Sequence, residues 1–145
     1  MRKKREVQRF LEQAEKLHLM ILNKSQEKAM FKQVAQSITT RTDGERVQAS
    51  GSQSRMADAV IEYVDVEAEI DDMSDKLCGE LQKIIRFIEK IENPTFYNIL
   101  HMRYIQFKGF DEIGMRYGKD YNWATTNHGR ALVCAEEIFQ KEKHH

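Results

Sequence analysis

The sequence predicts an all-α fold in which a long helical hairpin precedes a C-terminal group of shorter helices. Three observations carry that prediction. Pro94 is the only proline in 145 residues, and the seven glycines are spread unevenly, so two long stretches contain little that breaks a helix. Apolar residues recur at three- and four-residue steps through both stretches. Beyond Pro94, glycines and acids punctuate the chain into segments too short to be hairpin arms.

Residues 1–38 form the first basic helical segment. Val7, Phe10, Leu11, Ala14, Leu17 and Ile21, then Phe31, Val34, Ala35 and Ile38, keep the helical period with one apolar face. The polar run Asn23 to Lys28 interrupts the stripe, which leaves open a solvated turn of one helix or a break between two. Residues 39–55, TTRTDGERVQASGSQSR, hold the densest cluster of Gly, Ser, Thr and Asp and lack apolar periodicity, so they read as a flexible linker. Residues 56–92 read as a second long helix, because Ala59, Tyr63, Val66, Ile70, Met73 and Leu77 alternate at three and four residues as a heptad seam. Leu81, Ile84, Ile88 and Ile91 continue it after an extra four-residue step beside Gly79. The first helix is the nearest apolar face available across the linker, so an antiparallel, coiled-coil-like hairpin follows, and the same helices are the expected oligomerisation surface.

Residues 93–141 carry the shorter helices. Asn93 is placed to cap a helix that starts at Pro94, where the missing N–H costs nothing. Phe96, Ile99, Leu100 and Tyr104 give that helix its inner face. From Gly109 to Gly118 a helix of under three turns opens on Asp111 and Glu112, which suit the N-terminal dipole, and closes on glycine. Asp120 is the expected N-cap of a longer helix that follows. Short helix, glycine turn and longer helix are the parts of a helix-turn-helix, in which the second helix lies in the DNA major groove. The spacing turns Ile113, Tyr117, Ala124, His128 and Leu132 inward, with Gly114 small where the helices cross. Lys119, Tyr121, Asn122, Thr125, Thr126 and Arg130 are left outward. Tyr121, Asn122, Thr125 and Thr126 are therefore the base-reading candidates, and Arg116, Lys119 and Arg130 the phosphate candidates.

The stretch FDEIGMRYGKDYNWATTNHGRAL, with the preceding Arg103-Tyr104-Ile105, resembles region four of bacterial sigma factors and aligns with it without a gap. The wider order is a basic helix, the RTDGERVQASG linker, a VEAEI-containing helix and this module. It is similar to the late-gene regulators of phages and prophages of the ArpU and RinA type. That resemblance spans most of the chain. It implies a transcription activator that binds promoter DNA and engages RNA polymerase, and it carries over Glu112, Ile113, Gly114, Gly118, Arg130, Ala131 and Leu132. Asp120 stands where the family's turn has serine, Ala124 where it has Val, and Trp123 where a small hydroxyl residue is common, so the family's base preference does not transfer.

Composition excludes other classes. The 23 Lys and Arg balance the 23 Asp and Glu, so overall charge announces neither a nucleic-acid nor a membrane partner. The balance is local: residues 1–46 hold 11 basic and 6 acidic side chains, 47–92 hold 5 and 11, and 93–145 hold 7 and 6. No apolar run approaches the roughly 20 residues of a membrane span. The basic start leads into Glu6-Val7-Gln8-Arg9 rather than an apolar core, which argues against a signal peptide and for the cytoplasm of a bacterial host. Cys78 and Cys134 have no CxxC or His neighbours at zinc spacing and read as buried thiols. The acids at 67, 69, 71, 72 and 75 interleave with seam residues and so face solvent rather than a metal. No phosphate-binding, dinucleotide, metalloprotease or serine-hydrolase motif occurs, so neither an enzyme nor a cofactor is expected. His128 reads as a core histidine and Trp123 as a packing residue. The Met1 to Arg9 cluster reads as a segment that tracks phosphates or polymerase acids, or at least as readily as a solvated, frayed helix start. Two rival readings stay open, a small-terminase-like packaging subunit that recognises DNA as a ring, and an adaptor whose sigma-like module grips a protein instead of DNA.

Overall fold

A computed structural model describes residues 4–42 and 49–144. The fold is all-α. Its helices are α1 (Glu6–Leu11), α2 (Gln13–Thr42), α3 (Ala49–Ile88), α4 (Pro94–Tyr104), α5 (Phe110–Arg116) and α6 (Tyr121–Lys143). The long helix made by α1 and α2, articulated at Glu12, packs antiparallel with α3, and three shorter helices follow. Among the described residues no helix is long and apolar enough to cross a membrane.

Two compact units make up the chain. One consists of residues 17–76, the middle of the hairpin. Here α3 buries Ala59 and Val66 and half-buries Tyr63, Ile70 and Met73, which are the expected seam positions. The polar run Asn23 to Lys28 does not break α2. Lys24 Nζ reaches Glu69 Oε2 at 2.8 Å, and Lys28 lies 3.9 Å from Glu67 Oε1 and 5.2 Å above the centroid of the Tyr63 ring. Cross-helix ion pairs and a cation–π contact thus replace apolar packing along that stretch. This unit has a thin core and leaves large apolar side chains in solvent, among them Leu19, Leu22, Met30 and Val34 on α2 and Val60, Ile61 and Val64 on α3. At 100° per residue the four on α2 lie on the side away from α3.

Of the segment expected to be a linker, residues 39–42 continue α2 and 49–55 begin α3, while 43–48 lie outside the described residues. Extending a formed helix costs far less than nucleating one, so a 40-residue helix carries the weak helix formers at its start. At its other end α3 stops at Ile88 rather than Glu92. Ile91 turns into the core there, with N–H groups of Lys90 and Ile91 donating to the carbonyls of Phe87 and Ile88. Cys78 is exposed, which corrects the expectation of two buried thiols; Cys134 is half-buried. Cys78 follows the seam residue Leu77 by one position, and one step of 100° turns it off the packed face.

The other unit joins residues 1–16 with 77–145. Its main core gathers Val7, Leu11 and Ala14 with Ile84, Phe87, Ile88 and Ile91, and with Leu100, Tyr104, Ala131, Leu132 and Ala135. Phe10, Phe87 and Phe139 close it with ring centroids 5.4 to 5.9 Å apart. A smaller cluster, Ile99, Met102, Ile113 and Ala124, lies under the turn between α5 and α6. Asn93 caps α4 as expected, its Oδ1 accepting from the N–H groups of Thr95 and Phe96 at 2.9 and 3.1 Å. Ion pairs fasten the periphery, among them Arg103 with Glu15 at 3.0 Å, Lys143 with Glu6 at 2.8 Å, and Lys90 with Glu142.

Candidate nucleic-acid interface

The turn from α5 to α6 is built by two glycines with different duties. Gly118 takes φ +66°, the left-handed conformation that costs an L-residue, and lets the chain leave α5. Gly114 is needed for space. A Cβ there would lie 2.5 Å from the carbonyl oxygen of Asp120 and 2.9 Å from that of Lys119, so the backbones of α5 and the turn touch where any side chain would intervene. The Lys119 N–H donates to the Gly114 carbonyl at 2.8 Å and locks the approach. Asp120 caps α6, accepting from the Trp123 N–H at 2.9 Å.

Ile113, Gly114, Ala124, His128, Ala131 and Leu132 are all buried, as the inner face of the predicted module requires. Tyr117 is half-buried, its hydroxyl accepting from Asn98 Nδ2 at 2.8 Å. Trp123 stacks obliquely on Tyr117 at 5.0 Å, against the smaller cluster. His128 is 8% exposed, with Nε2 2.7 Å from the Tyr104 hydroxyl and the Phe110 ring 4.9 Å away. Burial, and secondarily the Arg103 charge against a weaker opposing pull from Glu12, pushes the imidazole down to about 4. Burial also holds the Tyr104 phenol above its usual range. With a Gln8 side-chain hydrogen bond on the same hydroxyl, we assign the phenol as donor and Nε2 as acceptor, which leaves the ring proton on Nδ1.

The outer face of α6 is a stripe of exposed residues, Asn122, Thr126, Gly129, Arg130, Val133 and, at its far end, Glu137. Arg116, Lys119 and Tyr121 are exposed around its N-terminal end, and Tyr121 leans edge-on against Phe110 at 5.9 Å. Thr125 sits at the margin, half-buried, with its Oγ1 donating to the Asn122 carbonyl at 3.1 Å. Among the described residues Arg116, Lys119 and Arg130 make no ion pair. A single surface thus gathers Asn122 and Thr126 in the first two turns of α6, with Arg116 and Lys119 just before the helix and Arg130 one turn further along it.

Sequence reasoning missed what stands beside that stripe. A cleft of about 670 Å³ opens between the start of α1 and the outer face of α6, lined by Lys4, Arg5 and Gln8 on one side and Thr126, Gly129, Arg130, Leu132 and Val133 on the other. The signal was faint. Val7 and Leu11 mark a buried face for α1, yet nothing in the spacing names α6 as the surface they meet.

No protein-family model, curated protein or solved structure matches this chain.

Proposed function

We propose that the chain is a phage-type transcriptional activator that binds promoter duplex DNA through α5, the turn and α6. The observation that supports this best is the joint presence of a close glycine crossing at Gly114 and a solvent-facing stripe on the helix that follows. The two helices pack closely there while the second keeps an exposed face, which is an arrangement that suits a major-groove reader. In this reading Tyr121, Asn122, Thr125 and Thr126 meet base edges, with the Asn122 amide suited to adenine and the threonine methyls to thymine. Arg116, Lys119 and Arg130 hold phosphates and fix the register. Asp120 acts by holding the first turn of α6.

RNA polymerase is the proposed second partner and the host cytoplasm the place of action, both on the resemblance to sigma region four and the phage late-gene regulators. Homo-oligomerisation through the long helices completes the proposal. A two-helix unit with so little buried and with Met30, Ile61 and Val64 each more than half exposed gains by covering them.

Selection from a randomised duplex library, followed by fluorescence anisotropy on the enriched duplex and a scrambled one, tests the reading. Wild type is expected to prefer the enriched duplex by about a thousandfold or more. Asn122→Ala/Arg130→Ala should lose about ten- to a hundredfold of that preference. No enrichment, or an unaltered preference in the double variant, would overturn it.

A further inference from the structure

The cleft between α1 and α6 has three properties that suit an anionic strand. Its walls are cationic: Lys4 and Arg5 stand opposite Arg130, and no carboxylate lines it. Among the described residues Arg5 and Arg130 make no ion pair, and Lys4 has only an exposed pair with Glu12 at 2.9 Å, the kind that an incoming anion displaces readily. Its wall is also firmly placed. Val7 and Leu11 are fully buried, the Val7 N–H donates to Glu136 Oε2 on α6 at 3.0 Å, and Glu6 pairs with Lys143, so Arg5 is presented from an anchored helix.

Third, the floor is bare. Gly129 is exposed in the middle of α6, where glycine is unfavourable, and a Cβ there would meet nothing within 4 Å. Packing within the chain therefore does not call for glycine at 129. The bare surface there leaves room for a ligand backbone to come close to the helix.

We propose that the start of α1 is a second phosphate-binding element of the DNA interface. Arg5 and Lys4 grip the sugar–phosphate strand that runs past Gly129, and Arg130 meets it from the other side. The inference rests on the DNA-reading function proposed above and extends it to a segment outside the helix-turn-helix. An element of this kind contacts backbone only. It adds affinity for every duplex without changing which duplex is preferred.

The test is anisotropy on the full chain at several salt concentrations, with the enriched duplex and a random duplex of equal length, for wild type, Lys4→Ala/Arg5→Ala and the charge-conserving Lys4→Arg/Arg5→Lys. Losing two phosphate contacts lowers the slope of log affinity against log salt by about 1.8. The alanine variant should bind both duplexes more weakly by the same factor, about three- to thirtyfold at low salt, with the preference between them unchanged; the charge-conserving variant should keep the wild-type slope. A wild-type slope in the alanine variant would refute the second element while leaving the helix-turn-helix reading intact. A changed preference would refute the backbone-only assignment. Failure of wild type to bind any duplex would remove both.

Discussion

His128 makes the module's stability depend on pH in a window where few other groups titrate. Its imidazole is buried against Phe110, accepts from the Tyr104 hydroxyl at 2.7 Å and is pushed down to about 4, whereas an unfolded histidine titrates near 6.5. Between those values the unfolded chain carries a proton that the folded one refuses. The stabilisation is therefore complete above about 6.5 and drains away as pH falls toward 4. By linkage the loss from pH 7 to pH 5 is about 2 kcal/mol, out of about 3 kcal/mol for the whole shift. With a urea dependence of about 1 to 2 kcal/mol per molar, the midpoint should fall by about 1 to 2 M. Trp123, the only tryptophan, lies in this module and reports its unfolding by fluorescence. His128→Gln keeps an acceptor for the phenol and removes the titration, so its midpoint should be lower at pH 7 and nearly level down to pH 5. Glu6, held below its usual range by Lys143, loses its contribution only at more acid pH. Equal falls in wild type and variant would refute the assignment of the pH dependence to His128.

Two further outcomes follow from packing. Gly114→Ala drives a methyl into backbone atoms at 2.5 and 2.9 Å, so the turn must move; a loss of about 2 to 3 kcal/mol is expected, read by Trp123 fluorescence in urea, together with a weakened preference among duplexes. Ile61→Lys/Val64→Lys places charge on the exposed apolar face of α3 without touching the seam. Light scattering should show a smaller particle than wild type with unchanged helix content, and an unchanged particle would remove this face from the oligomer interface.

Much of the fold was legible because its signals are local. The seam from Ala59 through Ile91 announces itself by spacing, Asn93-Pro94 by the chemistry of a capped first turn, and the α5 to α6 module by glycine placement and an inner face that includes Ala124, His128 and Leu132. What escaped is what tertiary contact decides. The run Asn23 to Lys28 looks like an interruption until Glu67 and Glu69 are seen across from it. The Ser and Gly residues of 49–55 look like a linker because propensity describes single residues, while a formed helix propagates through them. The start of α1 was the largest gap: four of the first five residues are basic, which spacing leaves open between an anion-tracking segment and a solvated helix start, and only the burial of Val7 and Leu11 places that end beside α6 as the wall of a cleft.

Those placements also bear on how a chain with no net charge can gather cations around the first half of α6, with exposed Glu137 at the far end of its stripe. Several acids of this unit are spent on cations away from the α6 stripe: Glu6 on Lys143, Glu15 on Arg103 and Glu142 on Lys90. Arg5, Arg116, Lys119 and Arg130 have no such partner among the described residues, and what a phosphate meets is the local field rather than the sum over the molecule. On the proposed DNA-binding function, those four with Lys4 would neutralise five phosphates per copy, a salt slope of about 4.5, and two copies on repeated half-sites would give about 9. Under the proposed DNA-binding function the slope counts protomers on the DNA. A value near 4.5 for a chain that scatters light as a dimer would mean that only one module of each pair engages, so that the exposed faces of α2 and α3 join the copies without setting their spacing on the duplex.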